Sequence, residues 1–329
     1  MTIKIIPFLC LFLFIVFNGC KKETEQPINK PAFELSSTAD IPFFNGESAY
    51  KHVANYAEFG ARVPNTKAHT DAKNYILSII NKYADKVVKQ DFTISGYDGV
   101  KLDLTNIIAS FNPAQAKRIL ICTHWDSRPW ADAENDTLLH KQPVHGVNDG
   151  GSGVGIMLEA ARILKEKQPN IGVDLLFVDG EDYGKSSDLS MFCLGSKYFA
   201  ATKNDYHPAF GILLDLVGDK EAKFYKEENS INAAEDVVDL FWDAAAKVSA
   251  VSFVNQNKYS IYDDHIPLIK NGIRTIDIID AELVGADKTL GRRAYWHTLK
   301  DDLSNIGQAA ITDVGNTLIY FIYSLQINE

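Results

Sequence analysis

Apolar residues along this chain fall into two rhythms that take turns. Short unbroken runs rich in β-branched and aromatic residues recur at 106–110, 119–123, 173–178, 210–217 and 274–279. They do not alternate with polar residues, so they predict strands covered on both faces. Between them, apolar positions return every third or fourth residue. Within 67–83, Ala72, Tyr75, Ile76, Ile79, Ile80 and Tyr83 would share one helix face, and 154–165, 233–248 and 306–325 behave similarly. Strands and helices in turn predict an α/β domain of three layers, α/β/α, with a central, mostly parallel mixed sheet. No repeat of fixed period breaks the pattern, and one domain over 32–329 is expected.

The first residues obey a different rule. Lys4 precedes an almost unbroken apolar run over 5–17, which at ~1.5 Å per residue reaches roughly 20 Å, short of the ~30 Å hydrocarbon core of a bilayer. Such a run reads as the core of a signal peptide. Its end, Asn18-Gly19-Cys20, resembles a bacterial lipobox, which implies cleavage before Cys20 and acylation of that thiol. Residues 1–19 are therefore expected to be a lipoprotein signal peptide, and the polar stretch to Pro31 a flexible tether. The protein is expected to be exported, anchored to a membrane through the Cys20 lipid and facing the periplasm. Ordinary secretion with Cys20 as a free thiol is the alternative.

Composition narrows the picture. A formal net charge of −10 excludes a dedicated nucleic-acid binder, which needs a cationic face to displace phosphate counterions. With 46% hydrophobic and 23% charged residues the chain can bury a real core, so it is not disordered. Four cysteines are too few for a disulfide scaffold. Cys122 and Cys193, both in apolar surroundings, fit either a disulfide or two buried thiols.

Unusual polar residues stand where the strand runs end, and in open parallel sheets that edge carries the site. His124 follows the run 119–123; Asp179, Glu181 and Asp182 follow 173–178; Asp215 interrupts 210–217. A carboxylate inside a buried strand is costly without a hydrogen bond, a cation or a metal. Asp149 opens the glycine-rich turn NDGGSG before a helix, and His297 lies late, in YWHT. Two histidines and several carboxylates over one sheet edge make a donor set suited to zinc. Glu181 beside Asp182 lets one carboxylate bind metal while its neighbour stays free as a base. Taken singly, each has a plainer role: Asp149 a helix cap, the histidines core residues, the acidic pair a solvated loop, and Arg128 in HWDSRPW a cation–π contact beside two tryptophans or a surface turn held by Pro129.

The order His124, Asp149, Glu181-Asp182, Asp215 and His297, in the contexts ICTHWDS, GVNDGGSG, FVDGED, LLDLVGD and YWHT, resembles the M28 family of zinc aminopeptidases from about residue 35 onward. Within it, HWDSRP, DDHIPLIKNGI and WHT are similar to the animal-type glutaminyl cyclases and their bacterial relatives. The resemblance implies one zinc, with a second possible, held by Asp149, Asp182 and His297. It makes Glu181 the general base and acid, with Asp215 and Asp263 completing its hydrogen-bond network as catalytic carboxylates. Trp296 matches a pocket wall. His124 and Asp215 match ligands of a second zinc in the aminopeptidases. The chain departs from the animal cyclases in having Asp182 where they have Glu, and in lacking a Trp after that pair, whose place Phe192 is a candidate to take.

The activity so implied is cyclisation of an N-terminal Gln of a peptide or protein to pyroglutamate, with loss of ammonia. An Asp215 carboxylate close to Glu181 is expected to help one of the two hold a proton near neutral pH. The alternatives are an M28-type aminopeptidase, and an inactive binding lipoprotein of the same fold.

Overall fold

The computed structural model describes residues 33–328, so the signal-peptide, Cys20 and tether readings lie outside the described residues. Among the described residues there are ten strands: β1 (Phe33–Leu35), β2 (Lys86–Ser95), β3 (Lys101–Phe111), β4 (Arg118–His124), β5 (Gly172–Val178), β6 (Gly211–Asp215), β7 (Phe224–Lys226), β8 (Phe253–Asn257), β9 (Thr275–Ile279) and β10 (Leu325–Ile327). Seven helices join them: α1 (Gly46–Ala57), α2 (Lys67–Tyr83), α3 (Gly151–Glu166), α4 (Leu194–Thr202), α5 (Glu228–Lys247), α6 (His265–Lys270) and α7 (Gln308–Ser324). None of the described helices is long and apolar enough to cross a membrane.

The central sheet has six strands in the order β2-β3-β5-β4-β6-β9. Strands β5, β4, β6 and β9 run parallel, while β3 runs against both of its neighbours. The sheet is mixed with a parallel heart, as the strand runs predict. The other pairings are small: β1 with β10, antiparallel, and β7 with β8, parallel.

Alternate residues of the buried strands serve two different cores. Ile119 and Ile121 of β4, Leu175 and Phe177 of β5, and Ile212 and Leu214 of β6 join the larger one, with α1, α2, α3, α5 and α7. Leu120, Cys122, Leu176, Val178 and Leu213 point the other way, to Phe199 and Ala200 of α4 and Leu268 of α6. A strand with apolar residues on both faces has no polar side to show, which is why these runs do not alternate. Helices α1 and α3 press together at Gly155, where an added methyl would lie 2.3 Å from Val53 Cγ2.

Where the structure differs from expectation, polar residues interrupt the signal. Helix α1 buries only Gly46, Ala49, Val53 and Tyr56 among polar neighbours. Strand β2 is one edge of the sheet and buries only Phe92. Strand β6 stops at Asp215 because Leu216 turns into the left-handed region at φ 48°.

Candidate active site and metal centre

The carboxyl ends of the parallel strands meet at one side of the sheet. His124 and Asp215 are the last residues of β4 and β6, and Glu181 and Asp182 lie in the loop after β5. Asp149 comes from the turn before α3, Asp263 from the turn before α6, and His297 from the late loop, itself at φ 54°. Asp149 is not the cap of α3: that position is Gly150, at φ 72°, and no side chain caps the helix. A methyl on Gly150 would stand 2.7 Å from the His124 ring, so only glycine admits the imidazole there.

Asp149, Asp182 and His297 bring one donor atom each within 4.8 Å of one another. His297 Nε2 lies 3.2 Å from Asp182 Oδ1 and 3.7 Å from Asp149 Oδ2. All three side chains are buried, yet Asp149 Oδ2 and Asp182 Oδ2 have no hydrogen-bond partner. Orphaned buried carboxylate oxygens are expensive, and a cation between them removes the cost. Burial, with the charges of Asp182 and Asp215, pushes the Asp149 carboxyl up to about 7. Burial also raises Asp182, but His297 and Arg128 outweigh it and hold that carboxyl below its ordinary value. Burial lowers His297, which favours the neutral imidazole that a metal ligand must be. Two oxygens and one imidazole nitrogen are an ordinary zinc donor set with room for a further ligand, so these residues fit the ion.

His124 makes a second cluster with Asp149 and Asp215. Its Nε2 lies 3.0 Å from Asp149 Oδ1 and 3.2 Å from Asp215 Oδ1, and its Nδ1 lies 3.4 Å from Asp126 Oδ1. Burial would lower this imidazole, but the carboxylates of Asp126, Asp149 and Asp215 prevail and raise it well above its ordinary value. Asp215 also accepts from the backbone N–H of Leu216, at 2.8 Å, and of Gly150, at 3.3 Å.

A cavity of about 250 Å³ opens over the first cluster, lined by Asp149, Asp182, His297, Glu181, Asp215 and Asp263 and walled by Leu189, Phe192, Ile261 and Trp296 among others. Trp296 stacks on the His297 ring at 3.5 Å, and Phe192 takes a place on the wall. Burial, then Asp182 and Asp263, raise the Glu181 carboxyl well above its ordinary value. The charge that holds a proton near Glu181 thus comes from Asp182 and Asp263. Asp215 instead acts on Asp263, which burial and Asp215 raise in turn. Glu181 Oε1 accepts from the Cys193 thiol at 3.3 Å. Cys193 and Cys122 are both free and buried.

Several residues that set this geometry leave little mark in the sequence or one that points elsewhere. Asp126 accepts from the backbone N–H of Glu181 and of Asp182, at 3.0 and 3.2 Å, fixing both side chains from below. Arg128 is no surface turn: it is buried, donates to Asp182 Oδ1 at 3.1 Å and grips both oxygens of Asp132. Asp132 in turn stands 3.6 Å from His297 Nδ1. Asp301 receives the backbone N–H of Asn148 and Asp149, at 2.8 and 3.1 Å. Arg62 donates to the carbonyls of Trp125 and Gly146, at 3.0 and 2.7 Å, tying the His124 loop to the Asp149 turn. Asp126 and Arg128 stand in the HWDSRP string, where acid and base close to a strand end were a usable signal. Arg62 left none, because its partners are main-chain atoms.

Residues 106–322 match the model of peptidase family M28. A glutaminyl cyclase from Bacteroides thetaiotaomicron, solved bound to N-acetylhistamine, shares 38% identity and superposes with a TM-score of 0.82 over 86% of this chain and 99% of its own. A Zn-dependent exopeptidase from Parabacteroides distasonis shares 41% identity, with a TM-score of 0.82 over 86% of this chain and 99% of its own. The glutaminyl-peptide cyclotransferase of Bos taurus is 22% identical over 79% of this chain and 77% of its own length.

Proposed function

The chain belongs to peptidase family M28, and on that premise we propose that its site is a zinc-dependent glutaminyl-peptide cyclotransferase, converting the N-terminal Gln of peptides or proteins to pyroglutamate with release of ammonia. It is an enzyme of the acyltransferase class. The observation that carries the chemistry is the pair of orphaned oxygens, Asp149 Oδ2 and Asp182 Oδ2, beside His297 and next to the raised carboxyl of Glu181.

Asp149, Asp182 and His297 would hold a single zinc, and His124 with Asp215 would stay as supports. In favour of one ion, His124 Nε2 is already engaged by both carboxylates of its cluster. When bound, zinc polarises the γ-carbonyl of the substrate glutamine as a Lewis acid. The substrate's α-amine then bonds to Cδ, the carbonyl carbon of its own side-chain amide, and the bond from that carbon to the amide nitrogen breaks. Glu181 accepts the proton the amine gives up and delivers a proton to the departing nitrogen, which leaves as ammonia. A carboxyl raised by burial and by Asp182 and Asp263 suits both halves of that transfer. Nucleophile and electrophile belong to one residue, so the walls of Trp296, Phe192, Leu189 and Ile261 need only fold it and exclude water. The Lys4 to Cys20 segment supports a lipid-anchored, exported enzyme, testable from the mass of the mature N-terminus.

The deciding experiment is mass spectrometry of a peptide with N-terminal Gln, incubated with the protein with and without chelator. Chelator-sensitive loss of one ammonia from an otherwise intact peptide is the expected result. Release of the terminal residue would make the protein an aminopeptidase, as the exopeptidase relative's name allows, and no change at all would make it a binding protein.

A further inference from the structure

We propose that Glu181, Cys193 and Asp263 form a second, inhibitory metal site that takes a thiophilic d10 divalent cation, of the zinc and cadmium kind. The three side chains bring one donor atom each within 4.8 Å of one another, as Asp149, Asp182 and His297 do. Cys193 Sγ stands 3.3 Å from Glu181 Oε1, the spacing of two ligands on one tetrahedral ion with bonds of ~2.0 and ~2.3 Å. Asp263 is buried, and its Oδ2 has no hydrogen-bond partner, while Oδ1 is used by the backbone N–H of Asp264. One oxygen of this cluster is therefore left open for a cation. Glu181 and Asp263 line the cavity, so an ion entering it meets two donors before the thiol behind them.

The donor set separates this site from the first. Two carboxylates and an imidazole are hard to borderline ligands; replacing the imidazole by sulfur favours soft d10 ions. On binding, the Cys193 proton leaves to solvent and a metal–sulfur bond forms, with no change of oxidation state. The Glu181 lone pair that accepts the substrate's proton is then spent on metal. Regulation in this form rests on Glu181 being the proton carrier, whereas the site itself does not.

The test uses the enzyme loaded with one equivalent of zinc and titrated with cadmium. Three quantities are followed: bound metal per chain, the ultraviolet sulfur-to-cadmium charge-transfer absorption, and turnover. Wild-type protein should bind one further equivalent, gain the absorption and lose turnover, while keeping its zinc. C193S should lose the absorption altogether and bind the further equivalent at least about tenfold more weakly, which is ~1.4 kcal/mol. D263N retains the thiol and should keep the absorption at reduced affinity, so a folding failure of C193S does not hide the answer. No further equivalent, or an absorption that survives C193S, overturns the site. A site that fills with its absorption while turnover persists overturns instead the role of Glu181.

Discussion

Two clusters of one histidine and two aspartates share Asp149 and differ in what fills them. In the first, His297 faces Asp149 and Asp182 across 3.7 and 3.2 Å, and two carboxylate oxygens have no partner. In the second, His124 sits between Asp149 and Asp215 at 3.0 and 3.2 Å, with Asp126 behind it. All three members of the first line the cavity; of the second only the two carboxylates do, and Gly150 lies against the His124 ring. The same residue types thus make a hole that wants a cation and a hole in which an imidazole already satisfies the acids. Composition does not tell these apart; the partners of individual oxygen atoms do.

That contrast can be broken most sharply at the base between the clusters and the wall. Glu181→Gln should keep zinc and fold but lose about 10²–10⁴-fold in turnover, read from ammonia release, since that is the span of general acid–base assistance. His297→Ala should drop the zinc content at the same time, whereas His124→Ala should keep zinc when the metal is in excess. The His124 variant should instead lose stability, by ~3–5 kcal/mol in denaturant unfolding, because its carboxylates are left without a counter-charge. Equal zinc loss in both variants would erase the distinction. Arg128→Met, which frees Asp182 and Asp132, should weaken zinc binding by about 10–100-fold in a competition with chelator.

The smallest expected effect lies outside both clusters. Burial would raise the Glu227 carboxyl, but His265 and the backbone N–H groups of Ile261 and Asn229 prevail and hold it at about 2, down from 4.5. A depressed carboxyl contributes stability above its unfolded value, and that contribution is lost as pH falls from 4.5 towards 2. Asp277, raised well above its ordinary value first by burial and then by Asp263 and Glu227, works in the opposite sense at higher pH, regaining stability as pH falls through its raised value to 3.8 and adding nothing below. Glu227→Gln should therefore flatten the acid limb of the unfolding curve slightly, and an unchanged limb would remove this pair from the acid response.

The parallel strands and the long helices were legible because burial on both faces, or along one stripe, leaves a rhythm that polar residues do not disturb. Residues 67–83 matched helix α2 at both ends, with Thr66 accepting from His69 N–H as its cap. The cluster of Asp149, Asp182 and His297 was legible through the polar residues near strand ends and the M28 resemblance. What stayed hidden was carried by backbone atoms. Asp301 and Arg62 position the Asp149 turn through N–H and carbonyl groups, which every residue has, so no pattern of side chains announces them. The course of the Asp215 side chain stayed hidden for a related reason. A turn at Leu216 with φ 48° sends the Asp215 carboxylate toward His124 and the helix start, and a linear sequence does not display that turn.

Strand β2 has a consequence for the life of the protein in a crowded solution. It is the exposed one of the central sheet's two edges, β9 at the other being buried, and a free edge is a template on which a second chain can add a strand. Here Lys86, Lys89 and Asp91 stand exposed along it, so a neighbouring molecule approaching edge to edge would have to strip water from charges at several steps of the ladder. The same polar residues that hid this strand from a reading of apolar runs guard the sheet against lateral growth into aggregates.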